Sequence, residues 1–138
     1  MDGVHVNRDP DRLLRIGADR ILIVYYSMTG NTHRFVARLG LPTVDLSAKP
    51  TTDQRFILVT PTYNFGKIPA PVSDFLYRNG DLMAGVIGGG DRVWGDNFAR
   101  AARSIAEAYE VPLLGTFEKA GTTQEFESIT ERLRYIDD

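Results

Sequence analysis

The segment Ser27 to Thr32 has the residue types that hold an anion. It reads SMTGNT, with three hydroxyl side chains and one glycine, between an apolar run and a helix-like pattern. Where a strand leads into a helix, backbone N–H groups and the helix dipole bind a phosphate without any lysine or arginine. The same letters also suit an ordinary turn and helix cap, but the strand before and the helix after favour a phosphate site. The residues predicted to contact the ligand here are Ser27, Met28, Thr29, Gly30, Asn31 and Thr32.

Two further loops carry aromatic and glycine residues that suit a flat ligand. One runs from Thr60 to Pro69 and contains Tyr63, and the other runs from Gly88 to Phe98 and contains Trp94 after three successive glycines. Either aromatic residue alone is more often a packing residue, but together in converging loops they favour stacking on a ring. Glycines let a ring edge approach the backbone. The residues predicted at this end are Thr60, Pro61, Thr62, Tyr63, Asn64, Phe65, Gly66, Gly88, Gly89, Gly90, Asp91, Trp94, Gly95, Asn97 and Phe98.

The elements that must position these loops alternate between strands and helices. Short apolar runs predict strands over 21–26, 41–46, 56–60, 83–87 and 111–117. Helical spacing follows most of them, with a third helix from Phe98 and a last helix that opens on the capping-box pattern Thr122-x-x-Glu125. Segment 47–54 is too short and too rich in proline and threonine for a crossover helix. The pattern predicts an α/β protein with a flavodoxin-like, doubly wound, five-stranded parallel sheet of order 2-1-3-4-5 and a stunted connection after the second strand.

The predicted topology brings the three loops together. In open parallel sheets, ligands bind at the carboxyl ends of the strands beside the switch point, where the loops after the first, third and fourth strands meet. A monophosphate, a flat polar heterocycle and two stacking aromatic residues together describe FMN. FMN is therefore the predicted cofactor.

Composition and missing motifs exclude several other classes. The 138 residues contain no cysteine, which excludes a disulfide scaffold, a cysteine-ligated metal and a thiol nucleophile. A net charge of -2 is too balanced to indicate a nucleic-acid or membrane-surface partner. Neither GxxxxGK[ST] nor GxGxxG follows the first strand. With no metal-ligand spacing, and with His33 expected to be a surface or packing residue, we predict no metal and no catalytic acid or base.

The first twenty residues are predicted to be an extension to a single FMN-binding domain over 21–138. Leu13, Leu14 and Ile16 suit one short helical turn, and a leader without fixed structure is the alternative. The extension lacks the apolar core of a signal peptide, and no apolar run approaches the roughly 20 residues of a membrane span. We therefore expect a cytoplasmic protein.

Several longer strings resemble the NrdI family of flavodoxin-like proteins. They are YYSMTGNTHRF (25–35), LVTPTY (58–63), GVIGGGDRVWGDNF (85–98), VPLLGTFE (111–118) and AGT (120–122). The resemblance extends over about residues 21–136 and rests on several spaced motifs rather than on one.

The resemblance implies an accessory activator rather than a stand-alone enzyme. In that family FMN is bound non-covalently, and its reduced form reacts with dioxygen to send superoxide to the dimanganese centre of the radical-generating ribonucleotide reductase subunit. That subunit, an electron-donating reductase and dioxygen are thus the implied partners. Carried over by position, the Ser27–Thr32 turn would hold the phosphate, Tyr63 and the 62–66 backbone would flank the isoalloxazine, and Gly89, Gly90 and Trp94 would complete the ring site. Trp94 stands where the family often has phenylalanine.

The second loop departs from the family pattern. Asn64-Phe65-Gly66 stands where many members have a glycine cluster and a longer insertion, which alters the surroundings of flavin N5 and hence its oxygen reactivity. Our hypothesis is that Lys67 and Arg92 lie near the ring and stabilise an anionic reduced flavin; solvated loop charges are the alternative.

Three other functions compete with the activator. A general electron-transfer flavodoxin would shuttle electrons from a reductase to acceptor proteins, but the net charge of -2 gives little sign of a strongly acidic docking face. A small FMN oxidoreductase acting on a quinone or nitro compound would need a pyridine-nucleotide site, for which the sequence has no motif. A flavin-less interaction module is disfavoured by the intact phosphate-loop pattern.

Overall fold

A computed structural model describes residues 15–16, 19–20, 22–63, 66–134 and 136 of the chain. The strands are β1 (Arg15–Ile16), β2 (Asp19–Arg20), β3 (Leu22–Tyr25), β4 (Thr43–Asp45), β5 (Phe56–Thr60), β6 (Met83–Gly90) and β7 (Leu113–Glu118). The helices are α1 (Asn31–Ala37), α2 (Ala70–Asn79), α3 (Arg100–Tyr109) and α4 (Thr123–Leu133), with 3-10 turns at Leu46–Ala48, Gly80–Leu82 and Arg92–Asn97. Strands β1 and β2 pair antiparallel, and the other five form a parallel sheet of order β4-β3-β5-β6-β7, which is the predicted order 2-1-3-4-5.

Helices cover both faces of the five-stranded sheet. Every residue of β3 and β5 is buried. Ile23 and Ile57 join the core on the side of α1 and α4, whereas Val24 and Leu58 face α2 and α3. Successive strand residues point to opposite faces, so burial on both sides requires the continuous apolar runs seen in the sequence. The predicted doubly wound architecture is confirmed.

Stacked aromatic rings fix the position of α1 against β7 and α4. The Phe35 ring lies parallel to that of Phe117, with centroids 3.9 Å apart, and meets Phe126 edge-on at 5.8 Å. Gly121 lets the ring approach, since a Cβ there would lie 2.7 Å from Phe35 Cδ1. These contacts with the far end of the chain therefore set where α1 packs in the fold.

The fourth strand of the sheet is longer than predicted. Gly88, Gly89 and Gly90 belong to β6 and still pair with β7, so their assignment to a loop is wrong. A Cβ on Gly88 would lie 2.6 Å from the Ala102 Cβ, and one on Gly89 would lie 2.7 Å from Phe117 Cζ. Glycine is required here because a helix and a ring press against the strand, not because the chain turns.

Other boundaries differ by a few residues. The predicted 41–46 strand is shorter, Thr43–Asp45, and the predicted stunted connection is confirmed as the 3-10 turn Leu46–Ala48 in place of a crossover helix. Helix α3 begins at Arg100 rather than at Phe98, because Ala99 has a left-handed backbone with φ of 55°. Strand β7 begins at Leu113 rather than at 111, and the predicted Thr122–Glu125 capping box is present.

The predicted N-terminal extension lies mostly outside the described residues. Leu13 and Leu14 are among those left undescribed, whereas Ile16 pairs with Asp19 in an antiparallel bridge instead of a helical turn. The division into an extension and a domain stays a prediction. Among the helices that the structure describes, none combines the length and the apolar character needed to cross a membrane.

Candidate functional site

Two adjoining cavities form one groove at the carboxyl edge of the sheet. They measure about 290 and 240 Å³ and share Met28, Thr29, Thr62, Gly90, Asp91 and Trp94. The first is further lined by Tyr63, Gly66, Asn97, Phe98 and Ala99, and the second by Asn31, Thr32, Pro61 and Lys119. The three loops singled out by the sequence thus converge on one place. We call the second cavity the turn end of the groove and the first the aromatic end.

At the turn end, the Ser27–Thr32 segment is folded by its own hydrogen bonds. Ser27 Oγ accepts from the backbone N–H of Gly30 at 3.1 Å and of His33 at 3.2 Å. Gly30 has φ of 94°, a left-handed conformation in which a side chain would be strained. The first N–H groups of a helix have no partner within it, so those of Asn31 and Thr32 are available to an anion. Arg34 donates back to Asn31 Oδ1 and so borders the same turn.

At the aromatic end, Tyr63 and Trp94 border the groove with their side chains partly open to solvent. Tyr63 is 42% exposed and Trp94 is 55% exposed. A two-way backbone pair with Lys67, at 2.7 and 2.6 Å, closes the loop that carries Tyr63. Thr62 Oγ1 accepts from the backbone N–H of Ala101 at 3.0 Å, which ties this loop to the first turn of α3. Backbone hydrogen bonds therefore fix the loop that carries Tyr63, although the Tyr63 side chain is not buried.

The structure does not bring every predicted residue to the groove. Gly88 and Gly89 pack against α3 and Phe117, as described above, and do not line either cavity. Ser27, Gly30, Thr60 and Gly95 also lie outside the two linings; the first two shape the turn, and Thr60 is fully buried at the end of β5. Asn64 and Phe65 are outside the described residues. Contact of all these side chains with a ligand stays a prediction.

The turn between β7 and α4 contributes a residue that the sequence prediction missed. Lys119 lines the turn end of the groove, and its backbone N–H donates to the Gly90 carbonyl at 2.8 Å. Its φ of 57° turns the chain sharply after β7. The predicted strand order could have indicated this residue. The fifth strand lies beside the fourth, so the loop after the fifth strand must lie next to the glycine-rich segment that ends the fourth. Lys119 adds a cation to a site that was predicted from neutral donors.

Arg92, which we hypothesised to lie near the ring, lines neither cavity of the groove. Its side chain pairs with Glu125 at 3.1 Å and with Glu118 at 3.8 Å, and its guanidinium carbon lies 4.3 Å from the centre of the Phe98 ring. Partial burial acts to raise the pKa of Glu125. Hydrogen bonds from the Thr122 and Glu118 backbone and from Arg92 outweigh this effect and hold that pKa below its ordinary value. Lys67 is exposed beside the groove without lining it.

His33 lies next to the turn but contacts the core rather than the groove. Its Nδ1 is 3.0 Å from the Tyr25 hydroxyl. Burial, the nearby charge of Asp45 and a hydrogen bond to that carboxylate raise the pKa of Tyr25. Within the described residues, no three His, Asp or Glu side chains are grouped as a metal site.

Comparison with known proteins gives the chain a family. The model of the family described as NrdI Flavodoxin like matches residues 23–131. Protein NrdI of Bacillus licheniformis is 40% identical over 117 residues, which span 84% of this chain and 89% of that protein.

Solved structures show the same fold at lower identity. The two-electron reduced flavodoxin of Megasphaera elsdenii has a TM-score of 0.62 at 16% identity, over 83% of this chain and 98% of that one. A flavodoxin variant of Fusobacterium nucleatum bound to flavin mononucleotide has a TM-score of 0.53 at 17% identity, over 83% of this chain and 90% of that one. The family model and the bacillar relative decide the assignment: this chain belongs to the NrdI flavodoxin-like family.

Proposed function

We propose that this protein binds FMN in the groove and acts as a redox activator of ribonucleotide reductase. One observation carries the proposal: in a chain of the NrdI flavodoxin-like family, a single groove joins a self-capped, glycine-containing turn to two half-exposed aromatic residues. FMN has a phosphate at one end and a flat heterocycle at the other, so the residue types at the two ends of the groove fit it.

The turn end of the groove would hold the phosphate. Ser27 fixes the turn, the first N–H groups of α1 have no partner within the helix, and Thr29 and Thr32 add hydroxyl groups. Lys119 faces the same cavity and brings a positive charge to the dianion. These donors are in place before the ligand arrives, which lowers the entropic cost of binding.

The aromatic end would hold the flavin ring. Tyr63 and Trp94 offer aromatic faces, while Gly66 and Gly90 let backbone approach the ring edge. A Cβ on Gly66 would lie 2.7 Å from Arg100 Cδ, so this loop and α3 are already in close contact. Held there in its reduced form, FMN would provide the one-electron reduction of dioxygen to the superoxide needed to assemble the partner subunit's dimanganese centre. The chain's own residues bind and orient the ring and leave one side of it open.

The rim around the aromatic end would meet the radical-generating subunit. Two loops form this rim, 63–68 and 91–97, and Val93 on the second is 82% exposed beside the half-exposed Trp94. Apolar side chains exposed together mark interaction surfaces more often than isolated ones do. Docking there would give the oxidant a direct path from ring to metal. An electron-donating reductase in the cytoplasm would return the flavin to its reduced state.

An anaerobic titration tests this function. The FMN-loaded protein is reduced with dithionite and then exposed to oxygen, with and without the manganese-loaded radical subunit, while flavin absorbance and the tyrosyl radical signal are recorded. We expect the radical only when reduced protein, oxygen and manganese subunit are all present. A flavin that cycles without ever giving a radical would overturn the activator assignment and favour the electron-transfer flavodoxin.

Variants of the rim separate docking from flavin binding. Val93→Asp places a charge on the rim outside the groove lining, so we expect retained FMN and lost radical formation. Tyr77→Asp is the matched control, because Tyr77 is 90% exposed on α2, away from the rim. Equal radical yields from the two variants would contradict docking at the rim.

A further inference from the structure

Arg92 joins its own loop to two elements that lie 26 and 33 positions further along the chain. Its backbone N–H donates to Glu118 Oε2 at 3.2 Å, its side chain pairs with Glu118 and Glu125, and its guanidinium lies over the Phe98 ring. We call these four residues the Arg92 clamp. They connect the loop after β6 to the end of β7 and to the first turn of α4.

Glu125 is the fixed point of the clamp. Its Oε1 accepts from the backbone N–H groups of Thr122 at 3.0 Å and of Glu118 at 3.1 Å, while Oε2 accepts from Arg92 at 3.1 Å. Glu125 also completes the capping box at the start of α4. Because both oxygens of Glu125 are hydrogen-bonded, its carboxylate is fixed in position. The ion pair with this carboxylate therefore restrains the Arg92 side chain.

The loop held by the clamp is the one that carries Trp94. Trp94 lies two residues after Arg92 in the 3-10 turn Arg92–Asn97, and its backbone N–H donates to the Asp91 carbonyl at 3.1 Å. Gly95, with φ of 58°, interrupts that turn, so the loop lacks the continuous ladder of a regular helix. The backbone of this loop therefore depends on contacts outside its own turn, and those of Arg92 lie at its start.

We propose that the Arg92 clamp is a positioning device that holds Trp94 at the aromatic end of the groove and so sets the affinity for the flavin ring. Two carboxylates surround the guanidinium charge, so Arg92 acts through the loop rather than as a charge beside the ring. The proposal rests on the FMN site proposed above. It predicts that breaking the clamp weakens binding of the flavin ring, so that FMN and riboflavin, which differ in the phosphate, lose affinity equally.

The test uses the chain's single tryptophan as a reporter of its own position. Acrylamide quenching of Trp94 fluorescence is measured in the flavin-free protein, and dissociation constants for FMN and riboflavin are measured by flavin fluorescence. The variants are Arg92→Met, Glu125→Gln, their combination and Arg92→Lys. Glutamine keeps an oxygen for the helix cap, so α4 retains its start. Arg132→Met is the matched control. Arg132 lines the same surface cavity as Arg92 and Glu125, and has no ion-pair partner among the described residues.

We expect Arg92→Met to make Trp94 more accessible to acrylamide and to raise Kd for FMN and for riboflavin by the same factor, about fivefold for two partly exposed ion pairs. The double variant should be no weaker than Arg92→Met alone, and Arg92→Lys should recover part of the loss. Arg132→Met should match the wild type in both measurements.

Two results would overturn the proposal. One is unchanged quenching and unchanged flavin affinity in Arg92→Met; the other is a loss seen with FMN but absent with riboflavin, which would assign Arg92 to the phosphate. Failure of the wild type itself to bind FMN would instead contradict the proposed function. The quenching measurement in the flavin-free protein still tests the clamp in that case.

Discussion

The two ends of the groove are held by different kinds of contact. At the turn end, Ser27 bonds to residues three and six positions along the chain. At the aromatic end, Arg92 reaches Glu118 and Glu125, which are 26 and 33 positions away, and Thr62 reaches Ala101, 39 positions away. A local turn folds with its own helix, whereas the aromatic end exists only when β5, β6, β7 and α4 are assembled. Loss of tertiary packing should therefore cost ring binding before it disturbs the local turn.

Removing the Phe35 ring, which joins α1 to β7, should give the largest change in stability. Phe35 lies in α1 directly after the turn and stacks on Phe117. We expect Phe35→Ala to lower the free energy of unfolding by about 3–5 kcal/mol, because a large buried ring leaves a cavity. Tyr77→Ala, at a 90% exposed position on α2, is the matched aromatic control and should change it by less than about 0.5 kcal/mol. Urea denaturation of both variants measures the difference, and equal values would refute the role of the stack.

A smaller loss should follow from breaking the local turn. Ser27→Ala removes the acceptor for two backbone N–H groups, and capping serines are worth about 1 kcal/mol. We expect FMN to bind about fivefold more weakly while riboflavin, which has no phosphate, is bound nearly as before. Ser73→Ala on the exposed face of α2 is the control. Equal weakening of both flavins would show that the turn does not act on the phosphate.

The same contrast explains what the sequence could and could not predict. The Ser27–Thr32 turn and the Thr122–Glu125 cap are held by hydrogen bonds between residues close in the sequence. The local sequence was therefore enough to predict them. Gly88 and Gly89 were placed in a loop because glycine runs usually mark turns, yet here they make room for Ala102 and Phe117. Such close packing depends on which element lies opposite and leaves no local pattern. The pairing of Arg92 with Glu118 and Glu125 was likewise not predicted, because both carboxylates are distant from it in the sequence.

Lys119 offers a way to separate charge from backbone strain at the turn end. Lys119→Gly relieves a left-handed conformation, so we expect the free energy of unfolding to rise by about 0.5 kcal/mol, since relief of strain exceeds the added freedom of the unfolded chain. Kd for FMN should nevertheless rise about threefold, with riboflavin unaffected. Lys49→Gly is the matched control, because Lys49 is also exposed and left-handed, with φ of 53°, but lies outside the groove. Lys49→Gly should gain the same stability and keep its FMN affinity. An equal loss of FMN affinity in both variants would show that Lys119 does not contribute to the phosphate site.

The smallest effect should be a pH dependence carried by Glu125 in the Arg92 clamp. Hydrogen bonds from the Thr122 and Glu118 backbone and from Arg92 outweigh partial burial and hold its pKa below the ordinary 4.5. A depressed pKa in the folded state means that the unfolded state takes up the proton first as pH falls. The stabilisation is thus complete above the ordinary value, and is lost as pH falls through the lower folded value. The free energy of unfolding of wild type minus that of Glu125→Gln should be constant near neutral pH and shrink only below about pH 4.5. A difference that changed between pH 6 and 8 would mean that some group other than this carboxylate controls the clamp.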